Sequence, residues 1–229
     1  MKEFCWDVPA AEIAGESPLI KETLRYLGYG SHDGADERTL EYLVECAGQL
    51  AGRCRPRHIS RRIGIVSTSG SRIELEGGFV WESESLVRAL SGSTEIMVFG
   101  ATLGVEADML ISRDSRRGIS RGALVSSAAT ALIEEYCDWA CDKLAGELAA
   151  EGHTLGERFS PGYGDFALGC QKDIFAILNC SKQIGLTLTE EFIMVPSKSV
   201  TAVMAIDGNC GRQLGCEYCS KTDCLYRRR

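Results

Sequence analysis

The longest helical pattern in the chain runs from about Arg121 to Glu151, after a break at Gly118. A helix of that length spans roughly 45 Å, so the remaining elements must be arranged along it. Ala123, Ala128, Ala129, Ala131 and Ala140 make it small-sided, which suits close packing against a sheet or a second helix. Glu134, Glu135, Asp138 and Asp142 load one stretch with acid. A solvated face accounts for most of these.

Other elements are marked by punctuation and periodicity. Ser17-Pro18 is a helix start, and Leu19, Ile20, Leu24 and Leu27 recur on one face until Gly28. A second helix from about Asp36 carries Leu40, Leu43, Val44, Ala47 and Leu50 and should end before Pro56. From His58 the period becomes that of a strand, with Ile59, Arg61, Ile63 and Ile65, a turn at Thr68-Ser69-Gly70-Ser71, and a return through Ile73 and Leu75. Gly77-Gly78 interrupts that return, and Phe79-Val80-Trp81 is expected to continue it beyond a bulge. A short helix capped by Ser83 reaches Gly92, and Thr94–Phe99 is a third strand. Gly100-Ala101-Thr102-Leu103-Gly104 then reads as a plain connector into a helix with Val105, Met109 and Leu110, in preference to an anion cradle. Further along, Leu168, Ile174, Phe175, Ile177 and Leu178 mark a helix, and Phe192–Val195 and Ser199–Ile206 are expected strands. Three early strands, a helical middle and two late strands predict an α+β fold, a mostly antiparallel twisted sheet flanked by helices.

The 229 residues divide most simply into one domain, 1–207, and a cysteine-rich tail, 208–229. A net charge of −7 argues against nucleic acid as a partner, and the only dense cationic spot, Arg227-Arg228-Arg229, reads as a solvated tail. No apolar run is long enough for a membrane span, and the charged N-terminus shows no signal peptide. With eleven cysteines, this points to a reducing cytoplasm. No Ser–His–Asp or Cys–His arrangement argues for hydrolysis, and His32, His58 and His153 are isolated.

Two irregular peptides stand out. Arg158-Phe159-Ser160-Pro161-Gly162-Tyr163-Gly164-Asp165-Phe166 and Met194-Val195-Pro196-Ser197-Lys198-Ser199-Val200 each carry one proline and one cation. Pro161 and Gly162 keep Arg158 out of a helix, so a stiff backbone can hold its guanidinium, whose planar donors suit a carboxylate or phosphate. A charged hydrogen bond of that kind contributes about 1.5–3 kcal/mol when shielded. Tyr163 offers an aromatic face, and Gly162 and Gly164 let a ligand approach the backbone. On composition alone, a simple turn before a helix is an equal alternative.

Arg158-x-x-Pro161-Gly162-Tyr163, followed by Leu188-Thr189-Glu190-Glu191-Phe192-x-Met194-x-Pro196 and Ser199-Val200, resembles the activation domain of cobalamin-dependent methionine synthase. The resemblance covers about Leu124 to Ile206. The fuller form, Ser160-Pro161-Gly162-Tyr163-Gly164-Asp165 with Pro196-Ser197-Lys198-Ser199-Val200, is similar to stand-alone bacterial relatives of that domain. It implies an S-adenosylmethionine site and a surface that meets cobalamin on a partner, a methionine synthase or another corrinoid protein. In that family cob(II)alamin is reduced by one electron, from an electron donor protein, and remethylated from S-adenosylmethionine. If this chain has an activity, the resemblance makes it a methyltransferase component. Carried over by position, Arg158 would grip the methionine carboxylate, Ser160, Pro161, Gly162 and Tyr163 would line the adenosyl portion, and Glu134 would place a carboxylate near the positive ligand. Where the family has an aromatic pair in the last strand, this chain has Met204-Ala205, so Met204 would form an altered wall. No counterpart of the family's early aspartate is found.

Cys210, Cys216, Cys219 and Cys224 place four thiols within fifteen residues, one pair as C-x-x-C. Such a set can close around zinc or a [4Fe–4S] cluster, although the spacing matches neither the usual ferredoxin run nor a zinc ribbon. An iron–sulfur centre would suit a reaction that needs an electron. The tail also supports a second reading of function: a non-catalytic iron–sulfur or zinc redox module beside a vestigial pocket. Cys170 and Cys180 read as buried apolar residues, and Cys137 and Cys141 lie four apart on the long helix without a nearby histidine.

Overall fold

A computed structural model describes residues 18–29 and 34–208. The first helix, α1 (Pro18–Tyr26), buries Leu19, Ile20, Thr23 and Leu24. Its expected cap, Ser17, lies outside the described residues. The side chain of Asp36 caps α2 (Glu37–Arg53) by accepting from the Thr39 amide at 2.8 Å, and Leu43, Ala47 and Leu50 form its buried stripe.

The hairpin of β1 (Arg57–Ser69) and β2 (Arg72–Leu75) forms as its alternation predicts, with one irregularity in register between Ile65 and Ser67. The next strand is not the expected continuation of β2. Gly77 and Gly78 both have positive φ, +83° and +82°, and reverse the chain, so that β3 (Val80–Glu82) returns beside β2 with Trp81 opposite Ile73. Two successive left-handed residues cannot be absorbed within a strand; they make a turn. Ser83 then caps α3 (Glu84–Ala89), its hydroxyl accepting from the Leu86 amide at 2.9 Å.

Strand β4 (Glu95–Thr102) runs three residues past the expected end, because Gly100 belongs to it. A Cβ there would come within 3.2 Å of Leu178, so this glycine serves the packing of a helix on the sheet. A short connector leads into α4 (Val105–Ser115) and then α5 (Ile119–Ala150), the 32-residue helix that the sequence pattern announces. The chain continues through a 3-10 turn at Leu168–Cys170, α6 (Gln171–Leu178) and α7 (Cys180–Ile184). Of the two late strands, only β7 (Ser199–Ile206) joins the main sheet; Met194–Val195 is a two-residue strand, β6, paired with β5 (Thr187–Leu188) in a separate ribbon.

The main sheet has the order β3-β2-β1-β4-β7, and every neighbouring pair is antiparallel. Alternation along β4 and β7 feeds two cores. Met97, Phe99, Met204 and Ile206 pack with α1, α2, α4 and α5 on one face. Ile96, Val98, Val203 and Ala205 pack with α6, α7, Trp81 and Phe166 on the other. The fold is therefore α+β, an antiparallel sheet flanked by helices. No helix among the described residues is long and apolar enough to cross a membrane.

Beyond β7, the segment after α5 completes the sheet edge. Leu155 bridges Ile206 and Phe159 bridges Val203, with Gly156 N–H donating to Ala205 O at 2.8 Å and Phe159 and Val203 exchanging two bonds at 2.9 Å. Four steps on this segment match three on β7, so it carries one extra residue. The exchange at Phe159 fixes which way its neighbours point: Phe159 enters the core with Phe166 and Ile174, and Arg158 turns to the α5 face.

Candidate functional site

Arg158 is held by that backbone pairing and reaches the middle of α5. Its Nη2 lies 3.0 Å from Glu134 Oε2 and 3.0 Å from Asp138 Oδ1, and its Nη1 lies 3.8 Å from Cys141 Sγ. Residues 134, 138 and 141 are spaced by four and three, so one helix face presents all three. Asp138, which reads as solvated in the sequence, is thus an ion-pair partner. The Arg158 side chain is only 18% exposed, against 34% for Glu134 and 58% for Asp138. Burial opposes the guanidinium charge, but Cys137, Asp138, Cys141 and Glu134 outweigh it and raise the pKa. Two carboxylates against one guanidinium leave a formal charge of −1. On α1, Tyr26 senses the same site: burial, and then Glu134, raise its pKa.

Met204, expected to form a wall, is fully buried. Its Sδ lies 3.7 Å from Cys141 Sγ, so it supports the residue beneath Arg158 and does not itself reach the surface. Cys137 is likewise buried, and no group of three metal-ligating side chains comes together among the described residues. Cys180 is buried, as expected, whereas Cys170, also expected to be buried, is half-buried against the same core. Cys210, Cys216, Cys219 and Cys224 lie outside the described residues. His58 stacks against Phe99 and bonds Tyr136 Oη through Nδ1 at 2.8 Å, and burial lowers its pKa. His153 bridges Arg62 and Asp207. His32 is outside the described residues.

The loop after Arg158 is built to stay in place. Tyr163 N–H donates to Ser160 O at 3.0 Å, Gly162 N–H to Phe166 O at 2.7 Å and Phe166 N–H to Tyr163 O at 2.9 Å. Pro161 is buried, Ser160 half-buried and Gly162 exposed. Phe166 anchors the loop against Phe159 and Trp81, at ring distances of 6.1 and 5.4 Å. Tyr163 meets Phe159 edge-on at 6.1 Å, yet is 58% exposed, so one face is open to a ligand. Asp165 fastens the loop to α3 by accepting from Ser83 Oγ at 2.6 Å and from the amides of Glu84 and Ser85 at 2.7 and 3.0 Å. Gly164 sits against Ser85, where a Cβ would come within 2.8 Å of Oγ, at a φ of +55°.

The second peptide approaches α5 from β7. Ser197 is fixed by Asp108 of α4, its amide donating to Oδ2 at 2.9 Å, and Ser199 Oγ is 2.7 Å from Pro196 O and 2.8 Å from Thr102 Oγ1. Lys198 Nζ donates to Thr130 Oγ1 at 2.8 Å and Ser126 Oγ at 3.0 Å. Burial lowers its pKa, partly countered by Asp108. Ser126, Thr130, Glu134 and Asp138 therefore form one ladder on α5, meeting Lys198 at one end and Arg158 at the other. The ladder is visible in the sequence as a polar residue every fourth position; it lacks any residue type that singles it out. A groove of about 550 Å³ also occurs on α2 and α4, lined by Arg53, Met109, Arg113 and Arg116.

Comparison with known proteins bears on this geometry. Residues 132–219 match the family described as "Vitamin B12 dependent methionine synthase, activation domain". That span takes in Glu134, Arg158, the loop to Phe166, Lys198 and β7. A solved structure described as "Crystal Structure of the MetH Reactivation Domain bound to AdoHcy" superposes with a TM-score of 0.59 at 18% identity, covering 84% of this chain and 75% of that one. The chain has the fold of a methionine synthase reactivation domain. The family match lies in the part of the chain that carries both irregular peptides. No curated protein matches the chain.

The capping bonds from Ser83, Ser85 and Glu84 hold the Asp165 carboxyl well below the usual carboxylate range. A depressed carboxyl contributes stability that is fully present above its unfolded pKa and is lost as the pH falls through the folded one. In acid unfolding followed by tryptophan fluorescence, Asp165→Asn should lower stability at neutral pH, and the difference from wild type should shrink as the pH drops below about 4. An unchanged difference across that range would deny Asp165 its anchoring role.

Proposed function

We propose that this protein binds S-adenosylmethionine and supports reductive methylation of cob(II)alamin carried by a partner, a methionine synthase or related corrinoid protein. The observation that carries this is the Arg158–Glu134–Asp138 cluster, set beside the Tyr163 loop in a fold shared with a methionine synthase reactivation domain. The family match over the same residues supports it. The cluster's net negative charge suits a ligand that carries a sulfonium and an ammonium against one carboxylate. Pro161, Gly162 and the open face of Tyr163 would receive the adenosyl portion, and Ser160 its edge.

The chemistry belongs to the substrates. One electron from a donor protein converts cob(II)alamin to cob(I)alamin, whose electron pair attacks the sulfonium methyl. The carbon–sulfur bond breaks with its pair staying on sulfur, giving methylcob(III)alamin and S-adenosylhomocysteine. The protein's part is to hold the methyl donor in line and exclude water, a proximity effect rather than acid–base catalysis. A cytoplasmic location accords with that reductive step.

The test is reconstitution. With a cob(II)alamin-loaded corrinoid protein, S-adenosylmethionine and a one-electron reductant, wild type should accelerate the appearance of the methylcobalamin spectrum, and Arg158→Gln should slow it at least tenfold. Equal rates with and without the protein would refute the reading.

The tail cysteines, Cys210, Cys216, Cys219 and Cys224, are proposed as a metal centre in a unit of their own, residues 208–229, with [4Fe–4S] preferred over zinc because an electron must be delivered. Anaerobically purified protein should contain about four irons per chain and absorb near 400 nm, and Cys216→Ser with Cys219→Ser should remove both. Stoichiometric zinc without colour would exclude the cluster; metal-free protein would exclude the centre.

A further inference from the structure

The groove on α2 and α4 shares no residue with the Arg158 cluster. Arg53 of α2 and Arg113 and Arg116 of α4 line it together with Met109, and Glu106 and Asp108 line it near the start of α4. Gln49 and Arg53 are four apart on one helix, and Met109, Arg113 and Arg116 are four and three apart on the other, so each helix turns its set to one side. Arg113 is fixed there by the protein itself. Its Nε donates to Asp114 Oδ2 at 2.9 Å and its Nη2 to Gln49 Oε1 at 2.5 Å, which ties α4 to α2. Asp114 is only 1% exposed, and Tyr42 and Arg117 bind the same carboxylate. These bonds use Nε and Nη2, so the guanidinium keeps Nη1 for a further acceptor.

The other groups in the groove divide by sign. Arg53 and Arg116 are exposed, and neither side chain has a hydrogen bond or ion pair among the described residues. The acids are engaged elsewhere: Asp108 holds Ser197, and the Glu106 carboxylate sits against Gly104, where a Cβ would come within 2.6 Å of it. Met109 is 64% exposed, a large apolar side chain left in water beside three arginines. Methionine and arginine together are typical of protein-binding surfaces, and an open furrow between two helices suits a length of chain.

Met1–Ser17 has the complementary composition. Its Glu3, Asp7, Glu12 and Glu16 outnumber Lys2, and Phe4, Trp6, Val8 and Ile13 are interleaved with them. It joins α1 at Pro18, and α1, α2, α4 and α5 pack over the same face of the sheet. A segment of that length reaches up to roughly 55 Å, against a radius of gyration of roughly 16 Å for a compact domain of this size. The groove is therefore within its reach.

We propose that the segment Met1–Ser17 docks in this groove in cis, with Phe4 and Trp6 covering Met109 while Glu3 and Asp7 meet Arg113 and Arg116. The segment thereby neutralises the groove and closes the apolar side of α4.

Trp6 reports on the contact in the full chain. Protein labelled with 5-fluorotryptophan is followed by fluorine NMR, the Trp6 resonance being the one lost in Trp6→Phe, with the labelled peptide Met1–Ser17 as the undocked reference. In wild type the Trp6 resonance should be displaced from its position in the peptide, and 0.5 M salt should reduce the displacement by screening. Arg53→Glu with Arg116→Glu, and separately Met109→Ser, should return Trp6 to the peptide position while Trp81 and Trp139 stay where they are. Both variants change exposed side chains and leave the Arg113–Asp114 pair intact, so the fold should hold. A wild-type Trp6 resonance at the peptide position overturns the proposal, as does a displacement that neither variant removes, which would put the segment elsewhere. A displacement that grows with protein concentration, alongside a dimer in sedimentation, assigns the groove to a second copy and overturns the cis contact.

Discussion

The backbone exchange between Phe159 and Val203 is the interaction on which the rest of the site depends. It converts the edge of β7 into a rail for an irregular segment that could not otherwise keep a fixed direction, and it decides the alternation there. Phe159 is driven into the core beneath α6, so its neighbour must face α5. An arginine in that position has nowhere to go but across the acidic middle of the long helix. The same exchange holds the start of the Tyr163 loop, whose far end is fixed by Asp165 on α3. One half of the site is therefore set by main-chain bonds, and the other is closed onto α3 by the Asp165 carboxylate.

Electrostatics then give the site its character. Arg158 meets Glu134 and Asp138 in a partly buried setting, where an ion pair is worth more than on an open surface and an unpaired charge costs more. The arrangement keeps a surplus of negative charge pointing outward, because Asp138 and Glu134 are both more exposed than the guanidinium they share. A site of this kind discriminates by net charge as well as by shape. At the other end of the same helix face, Lys198 supplies the opposite sign, so that face of α5 is polarised along its length.

Much of the architecture is legible in the residues. The small side chains and length of α5, the Asp36 and Ser83 caps, and the β1–β2 turn all express local rules that tertiary contacts leave untouched. Legibility fails where one residue serves a partner far away in the chain. Gly100 looks like the start of a loop, yet it is a strand residue kept small for Leu178. Gly77-Gly78 is compatible with a bulge or a reversal, and only the pairing of Trp81 with Ile73 decides between them. Within the site, Arg158, Glu134 and Tyr163 can be picked out through motif and resemblance. Asp138, Ser126 and Thr130 cannot, because a solvated helix face has the same composition. Met204, expected as a wall, lies deeper than its strand position suggests: it is fully buried and meets Cys141.

The net negative charge of the Arg158 cluster is proposed to select a sulfonium ligand, and a difference in two affinities reads that selection. Dissociation constants of S-adenosylmethionine and of S-adenosylhomocysteine, which lacks the sulfonium charge, would be compared between wild type and Glu134→Gln. Wild type should favour the charged ligand, and that preference should fall by about tenfold when the carboxylate is neutralised. A preference that is the same in both proteins would contradict the account.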